Sequence, residues 1–199
     1  MKSPEATAAQ HSLTPEQIEL IKKQIEELET TIRIVGVAVG GDRKLNFRFG
    51  HSWSFDFKNN TIHYPLTQLL FNDVHSIIGA CIHEGGHCDI SKVNFKKEVF
   101  KKLLGKESYR FLLNAFEDPR TNNWCMKKYE GSKHYLDAIY NRLFPEDETK
   151  EVSRPQSIME KAGVLIPETE QAKGEMLPHL QYGYAIIDYW RNKRIAPFV

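Results

Sequence analysis

The sequence predicts an α+β protein in which a small, mostly antiparallel sheet over residues 31–65 packs on a mainly helical core. Apolar residues repeat at helical spacing before residue 30 and again after residue 66. Between these segments, short runs of β-branched and aromatic residues are separated by turn residues. The chain has 199 residues, which is enough for one complete core, so a single domain is expected over residues 14–199.

The first helix is predicted to run from Thr14 to about Glu29. Thr14 is a favourable N-cap residue, and Pro15 suits the first helical position. Ile18, Ile21, Ile25 and Leu28 then follow at helical spacing. Residues 1–13 are small and polar, and we expect them to form a disordered tail.

The sheet is predicted from β-branched residues and from alternating patterns. A sheet of three to four strands is predicted, with candidate strands at about residues 32–39, 45–49, 53–57 and 61–64. Lys58-Asn59-Asn60 is typical of a hairpin turn between the last two strands. Pro65 should end the strand Thr61–Tyr64, and a proline there suits a strand at the sheet edge.

After the sheet the pattern becomes helical. Helices are predicted at about residues 72–91, 96–104, 107–118, 124–143 and 177–190. Pro119 should end or kink the helix that begins near Glu107. Residues 144–177 hold three prolines and many charges, which favours loops and short helices.

Composition argues against several classes of partner. The net charge is +1, so neither nucleic acid nor an anionic membrane is an expected partner. No apolar run approaches the roughly 20 residues that span a bilayer. The N-terminus has no apolar segment typical of a secretory signal, and the three cysteines are odd in number and sparse. We therefore expect reduced thiols and a cytoplasmic location.

The segment His83-Glu84-Gly85-Gly86-His87 lies inside a predicted helix. His83 and His87 are four residues apart, so both imidazoles project from one face about one turn apart, which suits two neighbouring corners of a tetrahedral zinc site. Glu84 lies about 60° around the helix from His87. It can therefore approach a metal-bound water as a general base without being a ligand.

The two glycines of this segment support a functional helix. Each costs roughly 1 kcal/mol relative to alanine in a helix interior. Close approach of another chain segment is a physical reason to omit the two Cβ atoms. The alternative is that His83 and His87 are surface residues that share this spacing by chance.

A catalytic zinc site needs a third protein ligand and an open position. A common metalloprotease pattern would place glycine at position 90 and histidine at position 93, where this chain has Ile90 and Val93. A carboxylate from a later helix is the other route, and Glu117 and Asp118 are adjacent acids on an otherwise apolar helix. Glu117 is the favoured ligand, with Asp118 supporting a metal-bound histidine. There are two alternatives. The two acids could have the reverse roles, or Asp118 could form a surface pair with Arg120 that has no part in metal binding.

With H-E-x-x-H on one helix and a glutamate on the next, residues 61–124 resemble the gluzincin type of zincin metallopeptidases. The resemblance implies a zincin-like core, one zinc ion held by the two histidines and Glu117, and Glu84 as the base. It also implies that Thr61–Tyr64 is the sheet edge along which an extended peptide binds by strand addition. The expected activity is hydrolysis of peptide bonds in a peptide or protein substrate.

Peptide hydrolysis also calls for a second donor to the developing oxyanion. The sequence does not choose among several candidates, which are Tyr184, His179, Tyr182, Arg120 and His134.

Two other functions compete with a peptidase. A zincin-like domain could bind metal without cleaving peptides, and it would then have no use for the carboxylate of Glu84. The lysines between residues 92 and 106 could bind nucleic acid, although their apolar neighbours at helical spacing favour an amphipathic helix with a solvated lysine face.

Overall fold

A computed structural model of the chain describes residues 13–92, 98, 99, 102, 105–143, 156–163 and 178–193. In chain order its elements are α1 (Pro15–Gly40), β1 (Asn46–Phe49), β2 (Ser54–Asp56), β3 (Thr61–Tyr64), α2 (Leu66–Phe71), α3 (Val74–Gly86), α4 (Glu107–Lys128), α5 (Ser132–Leu143), α6 (Ile158–Lys161) and α7 (Pro178–Asn192). A π-helical turn, His87–Ser91, continues α3. The predicted α+β class is confirmed.

Helix α1 begins as predicted but is much longer. Thr14 caps it, with the side chain of Gln17 returning to the Thr14 backbone N–H. The helix continues to Gly40, so the prediction of a strand near residues 32–39 was wrong. Leu28, Ile32 and Val39 are all buried along it. Their burial on one helical face outweighs the β propensity of the branched residues.

The sheet has three strands in the order β1-β3-β2. Strand β3 pairs parallel with β1 and antiparallel with β2, so the sheet is mixed rather than mostly antiparallel. The predicted turn at Lys58-Asn59-Asn60 does join β2 to β3, and Asn60 takes the left-handed conformation with φ 50°. The expectation that Thr61–Tyr64 forms the sheet edge was wrong, because β3 is central and buried along most of its length.

Helix α3 crosses the centre of the molecule and packs closely on three other helices. A Cβ atom on Gly85 would lie 3.1 Å from the Cβ of Val39 in α1. One on Gly86 would lie 2.5 Å from Thr121 Cγ2 in α4, and one on Gly79 would overlap the backbone of Tyr135 in α5. The glycines therefore allow backbone approaches that any side chain would prevent.

Helix α4 continues through Pro119 to Lys128, so the expectation that the helix ends at Pro119 was wrong. Proline removes one backbone N–H from the helical hydrogen bonds. The following turns bury Thr121, Asn122 and Cys125, with Thr121 and Cys125 lying against Gly86 of α3. This packing stabilises the second half of α4 and offsets the hydrogen bond that the helix loses at the proline.

Several predicted segments lie wholly or mostly outside the described residues. They are the N-terminal tail, the helix at residues 96–104 with most of its lysines, and most of the loop region 144–177. None of the helices in the described part of the chain combines the length and apolar character needed to span a bilayer.

The glycine contacts predict the cost of adding a single methyl group. We expect Gly79→Ala to destabilise the fold by about 2 kcal/mol or more, because the new Cβ would meet the Tyr135 backbone rather than a movable side chain. Gly131→Ala is the matched control, since nothing lies within 4 Å of a Cβ at that position. Urea unfolding of both variants measures the difference, and equal midpoints would contradict this account of the packing.

Candidate metal centre

Three side-chain atoms that can bind a metal converge at the C-terminal end of α3. His83 Nε2 and His87 Nε2 lie 3.1 Å apart. Asp118 Oδ1, from α4, lies 3.6 Å from His83 Nε2 and 3.4 Å from His87 Nε2. Among the described residues, these three form the one cluster of at least three such groups. The last turn of α3, the start of the π-helical turn and one position of α4 therefore build the site.

Asn122 sets the orientation and tautomer of His83. The Nδ1 of His83 lies 2.8 Å from Asn122 Oδ1. The amide oxygen can only accept, so Nδ1 carries the proton and donates it. Asn122 is fully buried and its Nδ2 donates to the hydroxyl of Tyr140 at 2.7 Å, which fixes the amide in this orientation. In neutral His83 the lone pair is consequently on Nε2, facing the cluster.

Ser91 plays the same part for His87. The Nδ1 of His87 lies 2.9 Å from Ser91 Oγ, which is fully buried in the π-helical turn. Ser91 Oγ also accepts from Arg120 Nη2 at 3.3 Å, and the Ser91 hydroxyl is among the groups that lower the pKa of Glu117. A Ser91 hydroxyl directed at that carboxylate accepts from His87 Nδ1, and neutral His87 then presents its Nε2 lone pair to the cluster.

This arrangement points to a cation. Two imidazole lone pairs and a carboxylate oxygen, all electron-rich, face one another at 3.1 to 3.6 Å. Without a positive charge between them they repel. A tetrahedral ion with bonds of about 2.1 Å needs its ligand atoms about 3.4 Å apart, and the observed spacings match that value. The three residues could hold a divalent metal ion.

The carboxylate in the cluster belongs to Asp118, whereas the sequence analysis favoured Glu117. Glu117 points away and forms a bidentate ion pair with Arg120, whose Nε lies 2.8 Å from Oε2. Burial alone would raise the pKa of Glu117, but hydrogen bonds from Arg120 and Ser91 outweigh it and lower the pKa. The geometry thus agrees with the reverse assignment, in which Glu117 supports His87 through Ser91.

Glu84 lies next to the cluster, in a buried position. Its side chain is 7% exposed, and it accepts a hydrogen bond from the backbone N–H of Phe55 in β2. Burial raises the pKa of Glu84 to about 7; the charge of His83 lowers it, and the Asp118 carboxylate adds to the rise. A carboxyl group with this pKa can take up and release a proton near neutral pH.

A cleft of about 220 Å³ opens over the cluster. Its lining residues come from the β2 segment, from α3 and from α4, and they are Trp53, Ser54, Phe55, Phe57, His83, Glu84, His87, Asn114 and Asp118. Ser54 and Phe55 of β2 line the cleft, and β2 is an edge strand of the sheet. The strand that borders the site is therefore β2 rather than β3.

Three of the suggested oxyanion donors, Arg120, His134 and Tyr184, are not among the described residues that line this cleft. Arg120 is paired with Glu117, and His134 lies against His75, with 3.0 Å between His134 Nε2 and His75 Nδ1. Tyr184 packs its ring on Phe111, one turn or more before Asp118 on α4. Two further suggested donors have side chains outside the described residues; they are His179 and Tyr182.

The sequence analysis missed the residues that orient the two histidines. Ser91 follows His87 by four residues, the same spacing that joins His83 to His87, so helical periodicity could have indicated it. Asn122 likewise follows Asp118 by four residues. Tyr140 comes from α5, and no local pattern connects it with the motif.

The fold and the site define a mainly helical α+β protein with a cluster of two histidines and one aspartate that could hold a metal ion. Comparisons of the chain with protein-family models, with curated proteins and with solved structures found no match. The functional argument therefore depends on the geometry of this site.

The geometry predicts different roles for the two adjacent acids. With zinc as the test ion, Asp118→Asn should weaken binding by more than about 100-fold, because it removes the one charged carboxylate of the cluster. Glu117→Gln should weaken it by only about 10-fold, because it acts through Ser91. Competition titrations against a zinc-sensitive dye measure both affinities. The opposite ranking would return the ligand role to Glu117.

The buried carboxyl group of Glu84 predicts how the stability of metal-free protein depends on pH. Because its pKa is raised from 4.5 to about 7, the fold favours protonated Glu84. Its contribution to stability is complete below about pH 4.5 and is lost as the pH rises through about 7. Glu84→Gln removes this titration, so the variant does not lose this stability as the pH rises. The free energy of unfolding of the variant minus that of the parent should therefore be about 2 kcal/mol larger at pH 8 than at pH 5.

Urea unfolding in the presence of a chelator measures this difference at the two pH values. Glu26→Gln, at an exposed position of α1, is the matched control and should follow the parent. A gain for Glu84→Gln that does not change with pH would contradict the assigned titration.

Proposed function

We propose that this chain is a zinc-dependent peptidase. The observation that carries the proposal is the convergence of two imidazole lone pairs and the Asp118 carboxylate beside the buried carboxyl group of Glu84. A metal accounts for the first three groups. Metal-assisted hydrolysis also needs a group that can accept a proton. Glu84 is such a group, because it is buried next to the cluster and lines the same cleft.

Zinc suits the donor set better than magnesium or calcium. Two imidazole nitrogens and one carboxylate oxygen are typical zinc ligands, whereas magnesium and calcium prefer oxygen alone. Three protein ligands also leave one position of a tetrahedral ion free, as catalytic zinc sites require. When bound, zinc would act as a Lewis acid toward a substrate carbonyl and would make water a better nucleophile near neutral pH.

Glu84 would be the general base. Its carboxylate would accept a proton from the attacking water and later donate that proton to the leaving amine. The Phe55 N–H would hold the carboxylate in place during both transfers. A base held in this way loses little entropy on reaching the transition state.

The substrate would be an extended segment of a peptide or protein. Strand β2 pairs on one side with β3 and, within the described residues, with no strand on the other. The Phe55 N–H is given to Glu84, so a peptide that adds to this free edge would use the remaining main-chain groups of β2, and its path would cross the cleft over the metal site. Trp53 and Phe57 in the cleft wall would contact apolar side chains of that peptide.

A metal-binding domain without catalysis is the second candidate. It would need His83, His87 and Asp118, but it would have no use for an ionisable group that is costly to bury. The position of Glu84, buried beside the cluster and lining the same cleft, therefore favours the peptidase. The two functions are separated by one substitution.

The peptidase assignment predicts that Glu84→Gln keeps zinc and loses hydrolysis. The parent should bind about one zinc ion per chain, measured by mass spectrometry under native conditions. Cleavage of a defined mixture of unstructured peptides should fall by at least about 100-fold in the variant, because the proton acceptor is gone.

His83→Ala serves as the contrasting variant, because it should lose the metal and the activity together. A Glu84→Gln protein that cleaves the mixture as fast as the parent would exclude Glu84 as the base. A parent that binds zinc but cleaves none of the peptides would favour the non-catalytic domain.

A further inference from the structure

The cleft contains one side chain of α4 besides Asp118, and that side chain is Asn114. Asn114 precedes Asp118 by four residues, so both project from the same face of α4 one turn apart. The amide therefore faces the same cleft as the metal ligand, but nearer to its mouth, where Asn114 is exposed.

Nothing in the described part of the chain accepts a hydrogen bond from the Asn114 side chain. The other two asparagines in the neighbouring turns of α4 are occupied. Asn122 binds His83 and Tyr140, and Asn123 accepts from the Trp190 indole at 3.2 Å. Asn114 is therefore free to donate to a molecule in the cleft.

The remaining cleft residues leave few other donors. His83, His87 and Asp118 face the metal position, and Glu84 is the base. The aromatic wall residues Phe55 and Phe57 have no polar side-chain atoms. Trp53 has an indole N–H, but that nitrogen is buried in the wall and is not reached from the cleft. Ser54 is the one other side-chain donor in the lining.

We propose that Asn114 is a catalytic residue whose side-chain N–H donates a hydrogen bond to the carbonyl oxygen of the peptide bond that is cleaved. The inference depends on the proposed peptidase function. Negative charge grows on that oxygen as water adds to the carbonyl carbon. The backbone of Asn114 is one helical turn from Asp118, which places a donor on the side of the cleft nearest the cluster, and a hydrogen bond to the oxygen strengthens as its negative charge grows.

Asn114→Ala tests the role, with Asn123→Ala as the matched control on the same helix outside the cleft. We expect kcat to fall about 10- to 100-fold with KM changed less than about threefold, because the hydrogen bond matters chiefly in the transition state. Zinc content should equal that of the parent. Asn123→Ala should keep the parent's kcat.

A phosphinic peptide provides a second readout, because its tetrahedral phosphorus group carries an anionic oxygen like that of the transition state. Its inhibition constant should rise in Asn114→Ala by the same factor by which kcat/KM falls. Asn114→Asp has the same shape but an acceptor in place of the donor, so it should be at least as impaired.

Equal kcat in the parent and Asn114→Ala would overturn the inference, and so would loss of activity in Ser54→Ala alone. Either result would leave the peptidase assignment intact. If the zinc-loaded parent neither cleaves peptides nor binds the phosphinic peptide, the proposed function fails, and the role of Asn114 fails with it.

Discussion

The close approach of α3 to its neighbouring helices determines the rest of the site. Gly85 lies against Val39 of α1, and Gly86 lies against Thr121 and Cys125 of α4. Since α4 can come this near to α3, the carboxylate of Asp118 reaches the two histidines, and Asn122 reaches His83 from the other side. A larger residue at position 86 would move α4 outward and separate the Asp118 carboxylate from the two histidines. The cost of glycine in a helix interior is thus offset by the contacts that it permits.

The two histidines are supported in different ways. His83 is held by a neutral chain through Asn122 to the hydroxyl of Tyr140. His87 is held through Ser91 by Glu117, whose negative charge is balanced by Arg120. Both chains leave the Nε2 lone pairs directed at one point. Glu117 therefore supports the His87 side of the cluster without entering it.

The sequence alone indicated the local features. The spacing of His83, Glu84 and His87 on a helix, the capped start of α1 at Thr14 and the hairpin turn before Thr61 all follow from interactions within a few residues. The α+β class could also be predicted. The extent of α1 could not, because the burial of Ile32 and Val39 against other elements decided it. The expectation that the helix ends at Pro119 was wrong for the same reason, because packing of the following turns stabilises the helix beyond the proline.

For the site, the sequence determined the residue types and the tertiary structure decided which of them meet. Glu117 and Asp118 are adjacent and chemically similar, and on a helix they point about 100° apart. Only the rotation of α4 against α3, fixed by the contact of Gly86 with Thr121 and Cys125, turns Asp118 toward the histidines and Glu117 toward Arg120. The order of the strands was likewise beyond local reasoning. A parallel pairing of β1 with β3 makes β2 the edge, and pairing between strands distant in sequence depends on the whole packed core.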